Sequence, residues 1–249
     1  MPYSRNIKLS LSYDGSAFQG WQVQASGRTV QGVLEETLAK ILGGAPRTIA
    51  AGRTDAGVHA LGQVVNVHTN STIPLNALKR ALNALLPEDV AVHEANEAVE
   101  DFHARYLAKS KRYVYIIDAS PARSPFLSRY ALKVDYRLNI PAMHQAARSF
   151  IGEHDFAAFM GAGSPVKSSI RQVTVSELAL KDTRLYYIIE GSGFLRHMVR
   201  NIVGTLLMVG RGSLAPEDIS GIIESRDRSK AGPTAPPQGL YLVAVNYEE

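Results

Sequence analysis

The chain has 249 residues, 45% apolar and 20% charged, with no cysteine and 27 Lys+Arg against 23 Asp+Glu, a net charge of +4. This is globular composition, and at roughly 150 residues per domain the length fits one large domain or two small ones. Zero cysteine excludes a disulfide framework, an iron–sulfur cluster, a thiolate zinc site and a cysteine nucleophile. No apolar run approaches the roughly eighteen residues that cross a bilayer, and Met1–Asn6 lacks the apolar stretch of a secretory signal. A soluble, cytoplasmic protein is expected.

Asn6–Tyr13 alternates Ile7, Leu9, Leu11 and Tyr13 with Lys8, Ser10 and Ser12, the pattern of a strand with one wet face. Val30–Leu42 sets Val30, Val33, Leu34, Leu38, Ile41 and Leu42 on one helical stripe, ended by Gly43-Gly44. Short strands are expected at Arg47–Ala51, Gln63–Thr69 and Val90–Glu94. Between the last two, Pro74–Leu86 predicts a helix with Pro in its first turn. The second half repeats the order. Strands are expected at Arg112–Asp118, Gln172–Leu180, Leu185–Glu190 and Leu240–Tyr247, with an extra one at Tyr130–Val134. Helices are expected at Ile140–Ile151, Leu195–Val209 and Pro216–Ser225.

Each half thus reads β-α-β-β-α-β, the order of the ferredoxin-like split βαβ unit. The expected fold class is α+β (mixed α/β). It has two ferredoxin-like units, residues 1–107 and 108–249, with mainly antiparallel sheets and helices on one face. The other faces are expected to be bare and to form a cleft, as RNA-recognition folds use an open sheet face.

Eighteen of the 27 basic residues are Arg, whose planar fork suits phosphate and base recognition. From His103 to Lys133 there are seven basic residues and one acid, Asp118. A solvated face is the plain account of that run unless it borders a site.

Three clusters carry candidate chemistry. In Gly52-Arg53-Thr54-Asp55-Ala56-Gly57-Val58-His59-Ala60, two glycines bracket one carboxylate, a device for fixing Asp55 over a sheet. An ordinary Asx turn is the competing account. Around Leu195–Gly204, Arg196 and Arg200 stand four apart within apolar sequence, which places them on one helical face. An Arg so flanked is seldom buried without an acid. Asp55 is one candidate partner; an ordinary pair with Glu190 or Asp182 is equally consistent. Phe102–Tyr106 and Lys109–Tyr115 interleave basic and aromatic residues, which suits phosphate contact and base stacking, with Tyr113 and Tyr115 as plain sheet core the alternative. The seven histidines form no HxxxH or HExxH pair, and the chain has no Walker loop and no Gly-x-Gly-x-x-Gly, so neither a metal nor a nucleotide cofactor is expected.

Several motifs, in order, resemble those of the tRNA pseudouridine synthases of the TruA type. They are Tyr13–Gln22, Thr29–Glu35, the loop Gly52–His59, Phe102–Arg105, Lys111–Tyr113, Phe194–Asn201 and Ala235–Tyr241. The resemblance covers nearly the whole chain. It implies a homodimer that isomerises uridine at positions thirty-eight to forty of the tRNA anticodon stem-loop, with no cofactor and no metal. It implies Asp55 as the catalytic nucleophile, Tyr113 as a catalytic residue in contact with the uracil and Arg200 as the partner of the aspartate. Arg53 is then a substrate-binding residue that helps displace the base, and Leu240 an apolar contact to it.

The chemistry fits these residue types. The N1–C1′ bond breaks, the uracil turns, and the ring rejoins at C5, with no redox change. A stacked uracil cannot turn, so it must be flipped out. A carboxylate is a competent nucleophile toward C1′ or C6. Attack at either atom, or removal of a sugar proton, fits the sequence equally. Two other classes compete: a non-catalytic RNA-binding module that has no use for Asp55, and a two-carboxylate glycosidase, for which Asp14 is the best second acid.

Overall fold

The computed structural model describes residues 5–163 and 166–247; residues 1–4, read above for a leader, lie outside these. In chain order the strands are β1 (Arg5–Tyr13), β2 (Thr48–Ala50), β3 (His59–Thr69), β4 (Val90–Ala98), β5 (Ser110–Asp118), β6 (Leu132–Lys133), β7 (Gly152–Asp155), β8 (Ile170–Lys181), β9 (Arg184–Gly191) and β10 (Leu240–Asn246). The α-helices are α1 (Val30–Leu42), α2 (Leu75–Leu85), α3 (Ile140–Arg148), α4 (Met198–Gly210) and α5 (Asp218–Ser225). The chain divides into two compact units, one of Met1–Lys109 with Tyr241–Glu249 and one of Ser110–Leu240.

In the first unit β1 is central, antiparallel to β3 and β4, with Leu9 opposite both Val65 and Ala95. Its alternation is decisive: Ile7, Leu9 and Leu11 are wholly buried while Lys8, Ser10 and Ser12 are not. β2 adds antiparallel to the far side of β3. Helix α1 starts where the Thr29 hydroxyl accepts from the Gly32 N–H at 3.3 Å, a side-chain cap on the first turn. Leu78 and Leu82 of α2 are wholly buried, and α2 packs on α1 and β4.

Three expectations change here. Strand β3 begins at His59 rather than Gln63, and Gly62 does not break it. A Cβ at Gly62 would stand 2.3 Å from the Val243 carbonyl oxygen, so the glycine permits a close backbone approach by β10. Strand β10, grouped by the sequence repeat with the second half, pairs parallel with β3, Tyr241 opposite His59 and Leu242 opposite Ala60. The second face of this sheet is also not bare. Ala51, Val64 and Ala104 form a small buried cluster there, covered by Phe102, Val245 and Tyr247.

In the second unit β5 pairs antiparallel with β9, β9 with β8, and β8 with β7. The two-residue β6 runs parallel to β5, Ile117 opposite Leu132. Strand β7 is absent from the sequence reading because Gly-Glu-His-Asp has no apolar alternation; backbone pairing to β8 holds it. Helix α3 is capped by the Asn139 side chain, which accepts from the Ala142 N–H at 3.1 Å, and it packs on α4. Helix α4 is nearly all buried, with Met198, Ile202, Val203 and Leu206 at 1% exposure or less. The architecture is therefore mixed α/β with mainly antiparallel sheets, as expected.

Candidate active site

The loop between β2 and β3 is held from several sides. The buried hydroxyls of Thr54 and Tyr13 lie 2.8 Å apart. The Trp21 N–H donates to the Thr54 carbonyl at 3.0 Å, and the Gly57 N–H to the Phe18 carbonyl at 3.2 Å. The Gln63 amide donates to the Gly52 carbonyl at 2.8 Å. Gly20 has φ +90°, and a Cβ there would meet the Thr54 carbonyl oxygen at 2.7 Å, so only glycine lets this segment lie against the loop. The first-strand motif Tyr13–Gln22 is thus the clamp on the aspartate loop. Asp55 itself is half-buried, its carbonyl accepting from the Val58 N–H at 3.1 Å. Arg53 is exposed. Burial pushes the Tyr13 phenol up to about 12, against smaller opposing effects of the Thr54 and Gln63 hydrogen bonds.

His59 closes the loop. It is 2% exposed, and its ring stacks on Tyr241 with centroids 4.7 Å apart. Its Nδ1 lies 3.0 Å from the Gly15 N–H and 3.1 Å from Asp14 Oδ1. Nδ1 accepts from Gly15 when it carries no proton and donates to Asp14 when it carries one, so the two contacts call for different states of that nitrogen. Asp14 also accepts from the Ser16 N–H at 2.9 Å, capping a short 3-10 turn. That is a structural role for the acid that a glycosidase reading would need.

In the second unit Tyr113 and Tyr115 lie on the buried side of β5, at 7% and 0% exposure. Tyr113 packs edge-on against Phe194, centroids 5.1 Å apart. Tyr115 donates to the Pro236 carbonyl at 2.8 Å. Burial raises its pKa, and the charge of Arg200 partly opposes this. Arg200 donates through Nε to the Ala235 carbonyl at 2.7 Å, and the Ala235 N–H returns a bond to the Arg200 carbonyl at 3.1 Å. The segment Thr234–Gly239 is therefore laced to both Arg200 and β5. Leu240, 6% exposed, follows it at the start of β10.

Arg196 and Arg200 do not share a helical face. His197 takes a left-handed conformation, φ 60°, so α4 begins only at Met198. Arg196 stays in the preceding turn and donates to the Ala162 carbonyl at 3.2 Å. Glu190, offered as an ordinary partner for these arginines, takes Arg112 Nε at 2.7 Å and the Ser110 hydroxyl at 2.6 Å.

A network that the sequence does not signal holds Thr234, next to the Ala235 to which Arg200 is bound. Asn201, wholly buried, donates to the Phe159 carbonyl at 2.7 Å and accepts from Thr234 at 2.6 Å and Arg228 at 3.0 Å. Asn and Arg beside an apolar run give no hint of it, because its third member comes from the loop after α5. Among the described residues no group of three or more His, Asp or Glu is placed to hold a metal ion, and no helix is long and apolar enough to cross a membrane.

Comparison with known proteins agrees with the motif order. A family model described as tRNA pseudouridine synthase matches residues 10–107 and 146–248. Curated proteins named tRNA pseudouridine synthase A are similar over full length. One from Acetivibrio thermocellus is 47% identical over 98% of this chain and 100% of its own. Another from Caldicellulosiruptor bescii is 46% identical with the same coverage. Among solved structures, an H/ACA RNP bound to a substrate RNA containing 2′-deoxyuridine aligns at 12% identity and TM-score 0.36. It covers 81% of this chain, which spans about half (53%) of that one.

Proposed function

This chain belongs to the family of tRNA pseudouridine synthases, of the TruA type, and we propose that it isomerises uridine to pseudouridine at positions thirty-eight to forty of the anticodon stem-loop. The observation that carries the reading is the immobilisation of the Asp55 loop. Thr54 and Gly57, on either side of the aspartate, are both bound to the Tyr13–Gln22 segment. A nucleophile held in this way loses little freedom when it meets its target atom.

In this mechanism the target uridine is flipped from its stack, and Arg53 occupies the space it leaves. Asp55 acts as the nucleophile that frees the uracil from C1′. Arg200 is the partner of Asp55 in this reading. Its Nε donates to the Ala235 carbonyl. Tyr113 stacks on the uracil while it turns, and Leu240 packs against its edge. The ring then rejoins through C5: the C1′–C5 bond forms as Asp55 is released, C5 loses its proton and N1 gains one, so that the atoms of the uridine are conserved. No electron is gained or lost, so the reaction needs no redox cofactor.

We read each compact unit as a ferredoxin-like module, the first from its order β1-α1-β2-β3-α2-β4 with β1 between β3 and β4. The protein acts as a homodimer in the cytoplasm in this reading, with tRNA as its macromolecular substrate.

The test is direct. Purified protein is incubated with an unmodified tRNA transcript, and pseudouridine is mapped by position. Product at thirty-eight to forty supports the proposal. Tight tRNA binding without product would favour the non-catalytic RNA-binding module. Sedimentation of the free protein checks the dimer.

A further inference from the structure

The loop after β4 is held by a polar clamp. Asn6 is 3% exposed and Asn66 is wholly buried. The Asn66 amide donates to Asn6 Oδ1 at 3.0 Å. The Asn6 amide donates in turn to the carbonyls of Val99 at 3.1 Å and Phe102 at 2.8 Å. Asn66 Oδ1 accepts from the Ala104 N–H at 2.9 Å, and the Tyr247 hydroxyl donates to the Ala104 carbonyl at 2.7 Å. Buried amides are costly unless satisfied. Here they fix the backbone of residues 99–104, on which an exposed group is mounted.

That group is His103, Arg105 and Tyr106. The His103 and Tyr106 rings are stacked, centroids 4.2 Å apart and planes 27° from parallel. The Arg105 guanidinium stands 5.8 Å from the Tyr106 ring centroid. His103 Nδ1 accepts from the Arg105 and Tyr106 N–H groups at 3.2 and 3.3 Å. Tyr106 is 75% exposed. A large aromatic ring, ordered by a stacked neighbour yet open to solvent, is a surface on which a base can stack. Glu100 and Asp101 precede the group, but from His103 onward the chain carries only basic charge until Asp118.

We propose that Tyr106, backed by His103 and flanked by Arg105, is a stacking platform for an unpaired nucleotide of the tRNA, with Arg105 taking the adjacent phosphate. This rests on tRNA being the substrate. It adds a contact outside the group that handles the target uridine. The platform holds one part of the tRNA while another presents its base to Asp55.

Tyr106→Ala, Tyr106→Phe and Arg105→Gln are compared with the wild type in the full-length protein on one unmodified tRNA. Tyr106→Ala is expected to raise Kd and KM about tenfold, or 1.4 kcal/mol, with unchanged Tm because the ring is exposed. Tyr106→Phe keeps the ring and should bind like the wild type. Arg105→Gln should lower the slope of log affinity against log salt by about one. Binding of Tyr106→Ala within twofold of the wild type would overturn the platform, as would Tyr106→Phe binding as weakly as Tyr106→Ala. An inactive wild type would instead remove the functional reading, which separates the two failures.

Discussion

The hydroxyls of Tyr13 and Thr54 meet at 2.8 Å inside the first unit, one residue from the aspartate on which the chemistry is proposed to turn. Tyr13 ends the first strand and Thr54 sits on a loop forty-one residues later. The bond converts sheet rigidity into loop rigidity. Tyr13→Phe removes it and leaves the Thr54 hydroxyl buried without that partner. We expect a stability loss of about 1–2 kcal/mol, measured by urea unfolding. We also expect kcat to fall more than tRNA affinity, because the loop stays in place but loses its fixed angle. Equal loss in both would show that the bond acts on folding alone.

Asp55→Asn preserves size and most hydrogen bonding but cannot act as a nucleophile. Isomerisation should vanish while tRNA affinity stays within about tenfold, or 1.4 kcal/mol. Filter binding alongside a pseudouridine assay checks both. Turnover near the wild-type rate would take Asp55 out of the mechanism.

Arg200 is bound through Nε to Ala235, a contact specific to the guanidinium. Arg200→Lys should keep only part of the activity, because it retains charge without the fork, and Arg200→Met should keep less. In a double-mutant cycle on turnover, the Asp55 and Arg200 substitutions should couple by roughly 0.5–3 kcal/mol if the two side chains meet. Strictly additive effects would dissolve the proposed pair.

The buried phenol of Tyr13 gives an alkaline signature. Its pKa is raised to about 12 in the folded protein, against about 10 unfolded. Below pH 10 both states hold the proton, and the full stability is present. Between pH 10 and 12 the unfolded chain loses the proton while the folded one keeps it, so stability falls as pH rises, by about 3 kcal/mol for this group. Tyr115 and Tyr187 shift in the same direction through burial and add to the effect. Absorbance of tyrosinate should appear in two phases, exposed residues first and the buried ones together with loss of circular dichroism. A single phase near pH 10 would contradict this burial.

The candidate residues stand out in the sequence for local reasons: Asp55 because two glycines bracket one acid, and Tyr113 because basic and aromatic residues alternate around it. Helix α1 is legible to its end residues from its apolar stripe and the Gly43-Gly44 stop, and the structure adds the Thr29 cap. Strand β7 is not legible, because its pairing is backbone alone and leaves no periodicity. The start of α4 at Met198 is not legible, because Leu195 fits an apolar stripe and the left-handed turn at His197 has no signature in residue type.

What the sequence determined by itself is the set of local choices: alternation in β1, the stripes of α1 and α2, the absence of thiol chemistry, and the glycine-bracketed Asp55. These depend on neighbours a few residues apart, within the reach of a repeat of two or 3.6. Only the tertiary structure decided which segments clamp that loop, that β10 runs beside β3, and that Asn201, Thr234 and Arg228 hold the strap to which Arg200 is bound. Those relations join residues tens to nearly two hundred positions apart. They arise from backbone groups and buried amides that must find partners once water is excluded, and a polar residue's type does not say which partner it will find.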